Sequence, residues 1–155
     1  MDDKKTALIG DFGLALRVSK EVGGTLKTWQ WLAPEVISAD SEGYDEKSDV
    51  FSFGIILWEI ITLEIPYDEY QKDPAYFVDN LQEWKLQEVK TAIIENNLRP
   101  TIPESCPEYL KTILEGCWQR FPAERISARE IINLLEQNNE MLEHTSTRHR
   151  PGLIT

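Results

Sequence analysis

The densest apolar run lies between Asp49 and Thr62. Val50, Phe51, Phe53, Ile55, Ile56, Leu57, Trp58, Ile60 and Ile61 leave almost no polar sector around a 3.6-residue turn. A helix apolar on all sides must be enclosed by protein, so this segment predicts the central helix of the fold. Ser48 or Asp49 can cap its start. Further on, Leu86, Val89, Ile93 and Ile94 keep helical spacing over 81–97, with Asn96-Asn97 as the stop. Tyr109, Leu110, Ile113, Leu114, Cys117 and Trp118 share one face of a helix over 108–118. Ser127-Ala128-Arg129-Glu130 reads as a capping box, and Ile131, Ile132, Leu134, Leu135 and Leu142 follow at helical spacing.

The stretches between these helices are irregular. Thr6 to Ile9 is a short strand candidate ended by Gly10. Residues 11–31 hold no period and carry Gly13, Gly23 and Gly24, which predicts a long loop. Ala33-Pro34-Glu35 can open a short helix, because proline is tolerated in a first turn. Residues 40–44, 66–75 and 99–107 read as loop or extended chain, and 144–155 as a mobile tail. The fold class is mainly α: a helical domain over 6–140 around one buried helix, with an irregular segment in front, a residual strand, and a disordered tail over 141–155.

Composition narrows the function classes. Sixteen basic against 27 acidic residues give a formal net charge of −11, which disfavours phosphate backbones and anionic lipid as partners. The two cysteines, Cys106 and Cys117, are too few for a disulfide framework and suit a reducing compartment. The N-terminus is hydrophilic, and the apolar run at 50–61 is too short for a bilayer. A soluble, cytoplasmic protein is expected.

Candidate chemistry begins with Asp11-Phe12-Gly13 after the strand Ala7-Leu8-Ile9. The tripeptide alone says little; its company says more. Trp31-Leu32-Ala33-Pro34-Glu35 follows, then Lys47-Ser48-Asp49-Val50-Phe51-Ser52-Phe53-Gly54, Leu57-Trp58-Glu59, Pro66-Tyr67, Leu98-Arg99-Pro100, Cys117-Trp118 and Pro122-Ala123-Glu124-Arg125. In this order and spacing the chain resembles the C-terminal lobe of a eukaryotic protein kinase domain. Thr28 before Glu35 looks like the serine/threonine branch, while Trp58-Glu59 and Cys117-Trp118 look like the tyrosine branch. That mixture resembles the tyrosine-kinase-like (TKL) group, and Leu98 to Pro107 resembles its Roco-type members. Four positions depart from the pattern: Phe51 for tryptophan, Leu63 for glycine, Phe121 for aspartate and Ile126 for proline.

The resemblance implies roles. Asp11 would hold Mg²⁺ on the ATP phosphates, with Phe12 and Gly13 setting its orientation. Ser19 and Thr25 are candidate phosphorylation sites for upstream kinases, or plain solvated loop hydroxyls. Thr28, Trp29, Gln30 and Trp31 would form the shelf that receives a protein substrate, while Trp31 can also simply pack beneath the short helix. Glu35 and Arg125 would form a buried ion pair tying this segment to the helical core. Asp49 would anchor the catalytic loop, or serve only as a helix cap.

Much of the machinery is absent from these residues. There is no G-x-G-x-x-G, and the only histidines, His144 and His149, lie in the tail, so there is no H-R-D catalytic aspartate. Met1 stands ten positions before Asp11, in what resembles the turn of a hairpin. The expectation is a fragment without its upper lobe. In full form it would transfer the ATP γ-phosphoryl to Ser or Thr; alone it should bind Mg²⁺-ATP weakly or not at all and be inactive. The alternative is a half-kinase or pseudokinase that works as a docking module. An upstream H-R-D-x-x-x-x-N would decide for the enzyme.

Overall fold

The computed structural model describes residue 10 and residues 29–38, 45–68 and 81–147, with side chains at 10, 29–38, 45–68 and 87–139. The expected strand at 6–9, Asp11-Phe12-Gly13, Ser19, Thr25 and Thr28 lie outside the described residues. Within them the chain is helical: α1 (Pro34–Ile37), α2 (Glu46–Thr62), α3 (Leu81–Glu95), α4 (Glu108–Cys117) and α5 (Ala128–Thr147), with single 3-10 turns at Trp29–Trp31 and Pro122–Glu124. No helix among the described residues is long and apolar enough to cross a membrane.

The central helix α2 starts three residues before the predicted position, and neither Ser48 nor Asp49 caps it. Asp45 does: its backbone is extended (φ −128°, ψ −177°) and its side chain accepts the Lys47 N–H at 2.9 Å. The oxygen that satisfies an early N–H comes from the first residue free to leave helical geometry, and Ser48 is held elsewhere. At the other end Leu63 adopts the left-handed conformation (φ 59°, ψ 26°), and its N–H bonds to Glu59 O at 2.8 Å.

Three apolar clusters meet on α2 and its neighbours. Phe51, Ile55 and Trp58 pack with Ala33, Leu114 and Trp118. Val50 packs with Ile113, Cys117 and Ile131, which brings α4 and α5 onto the same side. Trp29, Tyr67, Val89 and Ile93 form a third cluster between α3 and the turn after α2. The helices α2 and α4 touch at Gly54, where an added Cβ would stand 2.6 Å from Cys117 Cβ. No side chain fits there, so glycine permits the close approach.

The expectation of an α2 enclosed on all sides is corrected. Phe53, Ile56 and Ile60 are 39%, 44% and 65% exposed, so one stripe of the helix is open. Apolar density alone cannot distinguish a fully packed helix from one with an uncovered stripe.

Local signals elsewhere work as chemistry predicts. Ser127 Oγ accepts the Glu130 N–H at 3.2 Å while Glu130 Oε2 accepts the Ser127 N–H at 2.6 Å, a reciprocal capping box at the start of α5. Asn97 closes α3 at φ 55°, with Leu98 N–H bonded back to Ala92 O at 3.0 Å. Helix α5 continues to Thr147, past the boundary expected at Glu140 and into the stretch expected to be disordered. No glycine or proline interrupts it before Pro151. Residues 148–155 lie outside the described residues.

Candidate functional site

Arg125 follows the 3-10 turn Pro122–Glu124 in extended conformation (φ −72°, ψ 142°), which sends its side chain inward. The side chain is 0% exposed, and a bare guanidinium there would be prohibitively costly. Each of its five N–H groups has an acceptor. Nη1 donates to Glu35 Oε1 at 2.7 Å and Lys47 O at 2.9 Å. Nη2 donates to Glu35 Oε2 at 2.8 Å and Arg120 O at 3.3 Å. Nε donates to Gln119 O at 2.9 Å. The bidentate fork on Glu35 joins residues ninety positions apart in sequence.

Glu35 sits in the first turn of α1, placed there by Pro34, while Ala33 stays extended (ψ 151°) as a residue before proline must. Ser48 Oγ donates to Glu35 Oε1 at 2.8 Å, so α2 grips the same carboxylate. Burial opposes ionisation of Glu35 and is the largest single influence. The hydrogen bonds from Arg125, from its own backbone and from Ser48, with the Arg125 charge, together outweigh it and hold the carboxyl below its ordinary range. Lys47 Nζ donates to Arg125 O, completing a ring of contacts between α2 and the turn before α5.

Beneath the pair lies Phe51, fully buried. The guanidinium carbons of Arg125 and Arg99 stand 5.0 Å and 4.9 Å from its ring centre. Arg99 ties the end of α3 to the end of α4, donating to Ile93 O, Leu98 O and Trp118 O. Burial, with Arg125 and Arg120 adding to it and Tyr67 and Glu35 opposing, pulls the Arg99 guanidinium down to about 10.

The shelf residues divide. Trp29 is a core residue, 7% exposed, stacked on Tyr67 with ring centres 5.9 Å apart. Gln30 is half-buried, and its Oε1 is buried without a hydrogen-bond partner. Trp31 is partly exposed, and its indole Nε1 donates to Glu59 Oε2 at 2.9 Å. Two tryptophans thus point to opposite ends of one short turn, one to α3 and one to α2. Asp49 is exposed, and its side chain makes no hydrogen bond among the described residues. No group of three or more His, Cys, Asp or Glu side chains among the described residues could hold a metal ion.

Sequence reasoning singled out Glu35 and Arg125 but missed two of their supports, Ser48 and Lys47, and the Glu59 acceptor of Trp31. Ser48 reads as a cap, Lys47 only as a position in the kinase-like motif, and Glu59 only as half of the Trp58-Glu59 pair. The spacing of 28 residues between Trp31 and Glu59 carries no local signal. Only the packing of the shelf on α2 reveals their bond.

Residues 1–135 match the family described as protein tyrosine and serine/threonine kinase. The chain is 41% identical over 135 residues to a probable serine/threonine-protein kinase, roco7, of Dictyostelium discoideum, covering 86% of this chain and 5% of that protein. It is 37% identical over 140 residues to serine/threonine-protein kinase STY17 of Arabidopsis thaliana, covering 88% and 22%. To the serine/threonine/tyrosine-protein kinase HT1 of the same plant it is 30% identical over 145 residues, covering 92% and 33%. The chain therefore spans a third or less of the length of these relatives. It belongs to the protein tyrosine and serine/threonine kinase family.

Proposed function

We propose that these residues form the substrate-side lobe of a serine/threonine kinase of the tyrosine-kinase-like group, which in a longer chain transfers the γ-phosphoryl of ATP to protein Ser or Thr. One observation carries the reading. The Glu35–Arg125 pair, with Ser48 on the same carboxylate, locks the turn holding Trp29, Gln30 and Trp31 onto the helical core. A peptide-receiving surface must be held in place, because catalysis depends on fixed geometry between nucleophile and phosphate. The names of the relatives favour Ser and Thr over Tyr.

Mg²⁺ and ATP belong to this reading: Asp11 would be one ligand of a metal that neutralises charge on the transferring phosphoryl. Thr28, Trp29, Gln30 and Trp31 would face the substrate, and Asp49 would accept backbone N–H groups of a catalytic loop. Ser19 and Thr25 would take regulatory phosphates from upstream kinases. The charge and free thiols suit the cytoplasm. Residues 1–155 alone lack a catalytic aspartate and a glycine-rich loop, so they do not turn over by themselves. A second reading, a docking module without transfer, draws on the exposure of Ile60, Leu63 and Ile65.

The test is transfer of labelled phosphate from ATP to peptide pools containing Ser, Thr or Tyr, using the longest chain the transcript encodes. Labelling of Ser and Thr that vanishes in Asp11→Asn is expected. No labelling by any chain containing these residues and an H-R-D segment would establish the docking module instead.

A further inference from the structure

Leu63 carries two energetic penalties at once. Its backbone is left-handed (φ 59°), a conformation that favours glycine, and its side chain is 89% exposed. Leucine there gains almost nothing from burial against the described residues. The residues around it are also apolar and open: Ile60 is 65% exposed and Ile65 52%. Together with Glu59 and Glu64 they line a shallow cleft of about 340 Å³ at the C-terminal end of α2.

The cleft is acidic as well as apolar. Glu64 is exposed, and Glu59 gives one oxygen to Trp31, while its other oxygen has no partner among the described residues. A formal net charge of −11 works against a second copy of the chain and against an anionic membrane as occupant. A cationic, apolar protein segment meets both the carboxylates and the exposed side chains. From the strained leucine, the open isoleucines and the two carboxylates, we infer that this cleft docks a short segment of a partner protein that combines Arg or Lys with large aliphatic side chains. Leu63 is its anchor, kept at the expense of backbone strain. The inference does not depend on phosphoryl transfer.

The test uses the 155-residue chain and two labelled 12-residue peptides. One alternates arginine and leucine; the other has glutamate in place of arginine. Fluorescence anisotropy reads binding, and methyl NMR reads its location. The basic peptide should bind saturably and shift the methyl signals of Ile60, Leu63 and Ile65, while the acidic one does neither. Leu63→Gly should weaken binding by about tenfold or more, the loss of one buried leucine side chain, while melting no lower than the parent because it relieves the strain. Glu64→Lys should weaken binding further at low salt than at high salt. Unchanged binding in Leu63→Gly, or equal binding of the acidic peptide, would overturn the inference. So would methyl shifts that follow dilution of the chain alone, which would assign the cleft to a second copy.

Discussion

Removing the carboxylate at position 35 tests the structure where its energy is most concentrated. In Glu35→Ala, Arg125 keeps its acceptors at Gln119, Lys47 and Arg120 but loses both bonds to Glu35. Its side chain is 0% exposed and that of Glu35 19%, so water reaches the vacated place from one edge only. Two buried N–H groups left unpaired cost about 1–3 kcal/mol each. Breaking one side of a buried ion pair costs about 3–5 kcal/mol in all. Ser48 also loses its acceptor. Glu35→Ala and Arg125→Met should each destabilise by about 3–5 kcal/mol. The double variant should cost less than the sum, because the second change removes a charge the first had stranded. Urea unfolding of the four proteins, followed by far-ultraviolet circular dichroism, supplies the cycle. Single-variant costs of about 0.5 kcal/mol, the range of an exposed pair, would refute the reasoning.

Five further outcomes follow from other contacts. Gly54→Ala should destabilise by about 1–3 kcal/mol by thermal melt, because Cys117 Cβ blocks the new methyl and α2 must move off α4. Ser127→Ala should cost about 1 kcal/mol by loss of the cap on α5, measured in the same way. Burial pushes the Cys117 thiol up to about 12. The unfolded thiol ionises at about 8.5, so Cys117 should subtract stability as pH rises from there toward the folded value. A thiol reagent should titrate Cys106 quickly and Cys117 only on unfolding. The folded carboxyl of Glu35 lies below its unfolded value, so its contribution is full above the unfolded value and fades as pH falls through the folded one. Acid melts of Glu35→Gln should show a shallower loss than the parent.

Reading from sequence succeeded where physics is local. The capping box at Ser127 and the Asn96-Asn97 stop depend on residues within one or two turns, and both form. The helical face at 108–118 and the one carrying Val89 and Ile93 follow from spacing alone. The start of α2 was missed because Asp45, Ser48 and Asp49 are all competent caps; the choice fell to Asp45 once Ser48 was drawn to Glu35. The open stripe of Phe53, Ile56 and Ile60 was missed because apolar character does not say what will cover it. At the site, the pairing of Glu35 with Arg125 came from resemblance, since nothing local links positions ninety apart. Their carbonyl acceptors at Gln119, Lys47 and Arg120 belong to the backbone, whose direction no side-chain pattern encodes.

The account rests on a guanidinium with every N–H engaged, joining α1 to the core. Hydrogen exchange of the Arg125 Nε–H, followed by ¹⁵N NMR of the 155-residue chain, reads that arrangement directly. Exchange only through global unfolding, at the rate of the slowest α2 amides and accelerated in Glu35→Ala, is the predicted result. Exchange as fast as that of a solvent-exposed arginine would mean that Arg125 lies outside the core and that the lobe is not held together as described.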